Sequence, residues 1–284
     1  MKADNGLYRP RFKTNIRKRG KWPMERHHRE SIANLIREFE GNSSVKALIL
    51  GGSLAHGFAK PDSDIDVTFV VESGDFQTRK HDNRLVYNNK ELCTYEKGYI
   101  DGKYVDGELL KLIALRGSEP ARYAFKDNTV LFSRMDNITE LLADIVRYPA
   151  EGKEERIDRF ASQLLAWKWY YSEAVVKHNR YLSFLSLQKI VLFSSRIILT
   201  FNELLYPYHK WLLQVLQTAD RKPPEMISDI EQLLSMPSAE IINRHCDKIL
   251  SFINWDETKI FWPNQFMKDS ELNWMNGEPP IDDL

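Results

Sequence analysis

At 284 residues the chain is long enough for one large domain or two modest ones, each with an apolar core of its own. Its 43% hydrophobic and 28% charged residues are ordinary for a soluble globular protein. A formal net charge of zero excludes a global field that would draw the whole molecule to nucleic acid or membrane. Charge is nevertheless uneven. Residues 1–30 hold ten Lys and Arg against three acids, and residues 270–284 are acidic. Residues 1–22 therefore read as a basic N-terminal arm, either a solvated tail or a recruiter of an anionic partner.

Pro23 can open a helix in which Ile32, Leu35, Ile36 and Phe39 recur at helical spacing, and Gly41 to Ser44 end it. Val45 to Leu50 is a short apolar run that predicts a buried strand, stopped by Gly51-Gly52-Ser53. A loop or short helix follows through Lys60-Pro61, and Ile65 to Val71 predicts a second strand rich in Val, Ile, Thr and Phe. Residues 73–91 are polar and carry no clear period. From Leu92 a strand-like pattern returns with Tyr95, Tyr99, Tyr104 and Val105, interrupted by Gly98 and Asp101-Gly102. Leu109 to Leu115 predicts a helix that breaks and restarts at Ser118-Glu119-Pro120, and Val130 to Phe132 predicts a last strand. The fold class expected is α+β, with a small mixed-sheet domain over residues 23–135.

Beyond residue 135 the pattern turns helical. Ile157, Phe160, Ala161, Leu164 and Leu165 form one apolar stripe, and Leu187, Ile190, Val191, Ser194, Ile198, Phe201 and Leu205 another, closed by Pro207. Ile241 to Ile253 marks a third helix. Residues 136–284 are expected to be an α-helical bundle domain. The closest approach to a membrane span, Ile190 to Leu199, is short of the ~20 residues needed and contains Arg196. Cys93 and Cys246 stand far apart without CxxC spacing, against a zinc cluster or disulfide framework. With a polar, basic start rather than an apolar leader, the expectation is a cytoplasmic protein without a membrane partner.

The informative stretch is Leu48 to Val67, LILGGSLAHGFAKPDSDIDV. Gly51 and Gly52 follow a buried strand and leave no side chain between the backbone and whatever approaches. Ser53 adds a hydroxyl, and such a turn suits phosphate oxygens. Asp64 and Asp66 lie two apart at the start of the next strand, so both side chains share one face. Adjacent carboxylates repel unless a cation lies between them, and hard oxygen ligands suit magnesium. A phosphate cradle beside a carboxylate pair fits a metal–triphosphate complex. Asp62, Asp64 and Asp66 also match the opening of a calcium-binding EF-hand loop, but Val67 stands where that loop needs Gly and Ser73 where it needs Glu.

Gly52-Ser53, ten intervening residues and then Asp64-Ile65-Asp66 resembles the motif of the DNA polymerase β-like nucleotidyltransferase superfamily. Within it the chain is most similar to the branch of aminoglycoside and lincosamide nucleotidyltransferases. The resemblance implies an enzyme that moves a nucleoside monophosphate, most simply an adenylyl group, from ATP or another nucleoside triphosphate to an acceptor hydroxyl. The acceptor it implies is a small molecule, with antibiotics among the candidates. Protein or RNA nucleotidylation, and a non-catalytic nucleotide-binding domain, are the alternatives. It also implies that Gly51, Gly52 and Ser53 hold the phosphates, that Asp64 and Asp66 bind Mg2+, two ions in all, and that a third acid on a later strand completes the site. Tyr99-Ile100-Asp101-Gly102-Lys103-Tyr104 is similar to the family's hydrophobic-Asp-x pattern and favours Asp101. Asp-Gly is also a strong hairpin signal, in which case Asp106, flanked by Tyr104-Val105, is the strand acid and Glu108 the next choice. Related enzymes bring a Lys from the helical domain to the triphosphate, and Lys210, beside Tyr206 and Tyr208, is the candidate. Tyr170 and Tyr171 read as bundle core, and His27, His28 and His56 as structural.

Overall fold

The computed structural model describes residues 24–277; the basic arm, Pro23 and the last acidic residues lie outside the described part. The chain divides into two compact units, one ending at Arg147 and the other starting at Tyr148.

In the first unit α1 (Arg26–Phe39) leads into β1 (Val45–Leu50), α2 (Gly52–His56), β2 (Ile65–Val71), α3 (Ser73–His81) and β3 (Val86–Asn89). Then follow β4 (Ile100–Asp106), α4 (Gly107–Arg116), α5 (Glu119–Tyr123), β5 (Thr129–Ser133) and α6 (Ile138–Ile145). The five strands form one sheet in the order β3-β4-β2-β1-β5. β2 and β4 run parallel, and every other neighbouring pair is antiparallel.

Period-two alternation sends the residues of this sheet to two cores. Leu48, Leu50, Ile65, Val67, Phe69, Ile100 and Tyr104 face one side, where Ile32 and Leu35 of α1 cover them. Ala47, Ile49, Val70 and Val105 face the other, against Leu110 of α4 and Ile138, Leu141 and Ile145 of α6. That second face is apolar at only one end. Along β2 it reads Asp66, Thr68, Val70, and along β4 Asp101, Lys103, Val105, so one sheet face passes from core to carboxylates within five residues.

The structure adds to the sequence reading at three places. The polar stretch 73–91 contains α3 and β3. α3 buries none of its residues and β3 is an edge strand of alternating exposure, so neither needs an apolar stripe. Asp101-Gly102 is not a turn, because β4 runs straight through it. A Cβ on Gly102 would lie 2.6 Å from the Phe69 ring, so this glycine serves close packing between strands. The first unit also extends past residue 135. α6 buries its apolar face in the sheet's second core, and the guanidinium of Arg122 donates to carbonyls of Ala114 on α4 and Ile145 at the end of α6.

The second unit is helical: α7 (Lys153–Val176), α8 (Arg180–Phe201), α9 (Leu212–Gln217), α10 (Met226–Ser235), α11 (Ala239–Phe252) and α12 (Trp262–Phe266). α7 packs most extensively on α8, and Tyr171 is buried between helices as expected of bundle core. Asn179 and Ser238 cap α8 and α11, each accepting a backbone N–H three residues on. At 22 residues α8 is longer than the apolar run Ile190 to Leu199. It is long and apolar enough to cross a membrane by length and composition, a test that core helices of soluble proteins also pass. Half of its apolar window is buried inside the unit, and the Arg196 guanidinium stacks on Phe160 and Tyr206.

Candidate active site

Asp64 precedes β2, Asp66 is its second residue and Asp101 is the second residue of β4, directly opposite Asp66 in the parallel ladder. One carboxylate oxygen from each lies within 4.8 Å of the others. Three carboxylates this close repel one another in the absence of a cation, and their hard oxygens suit a divalent ion.

Gly52 ties the Gly51–Ser53 turn to this cluster. It holds φ +59, and a Cβ placed on it would lie 1.7 Å from Oδ2 of Asp66. Any side chain would displace the carboxylate, and L residues resist that φ. The Gly51 amide also donates to the Asp66 carbonyl at 2.9 Å. Next in the chain, the Ser53 side chain is 4% exposed, and among the described residues its hydroxyl meets no hydrogen-bond partner. An unpaired buried hydroxyl costs roughly 1–3 kcal/mol, which a ligand oxygen at this point would recover. The residues present therefore fit a metal-bound triphosphate: a backbone turn only glycine can make, an unsatisfied hydroxyl and three convergent acids.

The other candidates for the third acid are occupied elsewhere. Asp106 sits at the far end of β4, 3% exposed, and its Oδ1 accepts the Leu109 amide at 2.8 Å as the N-cap of α4. Glu108 is exposed and pairs with Lys111 at 2.9 Å. Lys210 belongs to the second unit, where it is exposed with its ammonium 5.0 Å from the Trp211 ring centroid. Tyr206 is buried there, its hydroxyl sharing a hydrogen bond with His209 Nδ1 at 3.1 Å, while Tyr208 is exposed.

Several residues around the acids carried no functional reading in the sequence. The Tyr99 phenol donates to Asp64 Oδ2 at 2.9 Å, and that bond, with the charge of Asp64, raises the Tyr99 pKa. Lys103 lies two residues beyond Asp101 on the same strand face. It keeps exposed surface while dense packing lowers its pKa, against the pull of Asp66 and Asp101. Period-two counting from Asp101 could have found it. His27, His28 and Tyr95 hold the loop that delivers Asp64. His27 Nε2 bonds the Pro61 carbonyl at 2.8 Å, and the Ser63 carbonyl takes His28 Nε2 at 3.2 Å and the Tyr95 hydroxyl at 2.6 Å. Burial lowers the His28 pKa and, beside Tyr123 and Phe58, that of His56. No local pattern links His27 and His28 to residue 63, so only the fold shows this clamp.

Residues 32–109 match the sequence model of the nucleotidyltransferase domain, a stretch that contains Gly51 to Ser53, Asp64, Asp66 and Asp101. The first unit thus carries a nucleotidyltransferase domain. No curated protein matches the chain. Among solved structures, the chain is similar to a nucleotidyltransferase-like protein from Exiguobacterium sibiricum, with 13% identity and a TM-score of 0.45, over 86% of this chain and 80% of that one.

Proposed function

We propose that the chain is an adenylyltransferase-like enzyme. It moves a nucleoside monophosphate from Mg2+-bound ATP, or another nucleoside triphosphate, to a hydroxyl of a small molecule, and pyrophosphate leaves. The observation that carries the reading is the contact between the two halves of the motif: the Gly52 turn rests against Asp66, inside a cluster of three acids whose oxygens lie within 4.8 Å of one another.

Asp64, Asp66 and Asp101 would hold the metal, with two ions expected from the resemblance. Bound divalent ions supply the positive charge that stabilises attacking and departing oxygens together. Tyr99 fixes the orientation of Asp64 through its 2.9 Å hydrogen bond. The backbone of Gly51 to Ser53 and the Ser53 hydroxyl receive the departing phosphates, and Asp101 ligates metal or accepts the acceptor's proton. Lys210 is the nucleotide-binding cation that the resemblance implies. Lys210→Ala is expected to weaken ATP binding roughly ten- to a hundredfold, and unaltered affinity in calorimetry returns it to a surface lysine. Two free thiols, Cys93 and Cys246, suit the reducing cytoplasm in which we place the activity.

A protein or RNA acceptor is the second reading, motivated by the basic arm of residues 1–22. Non-catalytic nucleotide binding is disfavoured by three acids kept together. The test is incubation with labelled ATP, GTP, CTP and UTP in turn, with magnesium and a panel of acceptors, following pyrophosphate release. Turnover of one triphosphate, abolished in Asp64→Asn and Asp66→Asn, is the expected result. Full activity of those variants in an established assay overturns the catalytic reading.

A further inference from the structure

An in-line displacement needs the nucleophile opposite the departing pyrophosphate. The sheet order fixes which side that is. β1, whose end carries Gly51 to Ser53, flanks β2 on one side, and β4 followed by β3 flank it on the other. Asp66 lies opposite Asp101, and Asp101 opposite Asn88, so the three form one row across β2, β4 and β3. With phosphates departing toward the β1 turn, the acceptor approaches along this row from the β3–β4 side.

There the first unit has an open concavity of about 820 Å³, lined by Asn88, Lys90, Tyr95, Lys97, Gly98 and Tyr99. Its size is that of a small-molecule site. It adjoins the acids directly, since Tyr99 lines it and donates to Asp64, and Asn88 ends the row. Its wall is set in advance: Tyr95 is tied to the Ser63 carbonyl and packs on His27 with ring centroids 4.4 Å apart. Among the described residues, the charged groups lining it are two lysines and no acid; Glu91 and Glu96 of the same loop are exposed and not part of the lining.

We propose that this concavity is the acceptor subsite and that it selects an anionic acceptor, a ring-sized molecule bearing a phosphate or carboxylate. The tyrosine rings offer a flat apolar surface, Lys90 and Lys97 the countercharge, and Asn88 a hydrogen-bonding end beside the acids. A polycationic acceptor such as an aminoglycoside meets like charge here, so the inference separates this chain from that branch in acceptor chemistry. It rests on the nucleotidyltransferase reading, because only that reading gives the β3–β4 side an acceptor to hold.

The test uses the full chain with its triphosphate site saturated by a magnesium-bound, non-hydrolysable ATP analogue. Calorimetry then follows phenyl phosphate and, as a probe of similar size and opposite charge, benzylamine. Phenyl phosphate is expected to bind and benzylamine not. The double variant K90M/K97M should weaken phenyl phosphate about tenfold or more, roughly fivefold or less for each exposed lysine alone, and leave ATP-analogue affinity within about twofold. Preference for benzylamine, no binding of phenyl phosphate, or binding indifferent to both lysines overturns the proposal. Loss of analogue affinity in the double variant assigns the lysines to the nucleotide's own phosphates and overturns it too. Failure of the underlying reading has its own signature: the wild-type chain does not bind the ATP analogue with magnesium, and the acceptor assignment falls with it.

Discussion

β4 carries an aspartate near each end, and the two have opposite fates. Asp101, its second residue, is exposed and reaches toward Asp64 and Asp66; Asp106, its last, is buried and caps α4. They stand five apart, so their side chains leave opposite faces of the strand. Asp101 shares its face with Lys103 and with the neighbouring Asp66, while Asp106 meets the free amides of a helix start. Residue type does not separate an acid of the cluster from an acid that caps a helix. The neighbours on adjacent strands do.

The largest effect expected from this contrast is on turnover. Asp101→Asn should lower it by about 10²–10³-fold or more with thermal stability little changed, because only charge placed on the reacting oxygens is lost. Asp106→Asn keeps a capping oxygen and should stay within about threefold of wild type. Pyrophosphate release checks both, and equal losses would erase the distinction between the ends. Gly52→Ala should destabilise by about 1–3 kcal/mol, since a left-handed φ and a collision with Asp66 both oppose the methyl group. Nucleotide binding should fall with it in calorimetry. Asp106→Ala removes the cap and should cost about 0.5–2 kcal/mol in denaturant unfolding, with kcat unchanged when the folded fraction is counted. The smallest effect is at Tyr99. Tyr99→Phe removes the donor to Asp64 and should reduce turnover roughly two- to tenfold without moving the unfolding midpoint.

The same contrast explains what was legible in the sequence. Val45–Leu50 and Ile65–Val71 are mostly buried, and their apolar residues, interrupted only by Lys46, Asp66 and Thr68, announced them to the residue. The carboxylates of Asp64 and Asp66 were placed on one side by simple period-two counting. α3 could not be read from hydrophobicity because it buries no residue fully and only Phe76 packs on the core. Its charge order was nevertheless available, with Asp75 in the first turn and Arg79, Lys80 and His81 in the last. The local pattern favoured Asp101 over Asp106 without excluding a hairpin at Asp-Gly, and it is Phe69 and Tyr87, from neighbouring strands, that explain why Gly102 is glycine. The clamp of His27, His28 and Tyr95 on residues 61 and 63 joins positions more than thirty apart and leaves no trace in any window of sequence.

The central claim is that Asp64, Asp66 and Asp101 form a divalent-metal site for a triphosphate seated on Gly51 to Ser53. Calorimetry of ATP binding to the wild-type chain, in magnesium and then in EDTA, tests it most directly. The account predicts affinity in magnesium at least tenfold above that in EDTA, with the difference collapsing in Asp66→Asn. Equal affinity in magnesium and EDTA would contradict it.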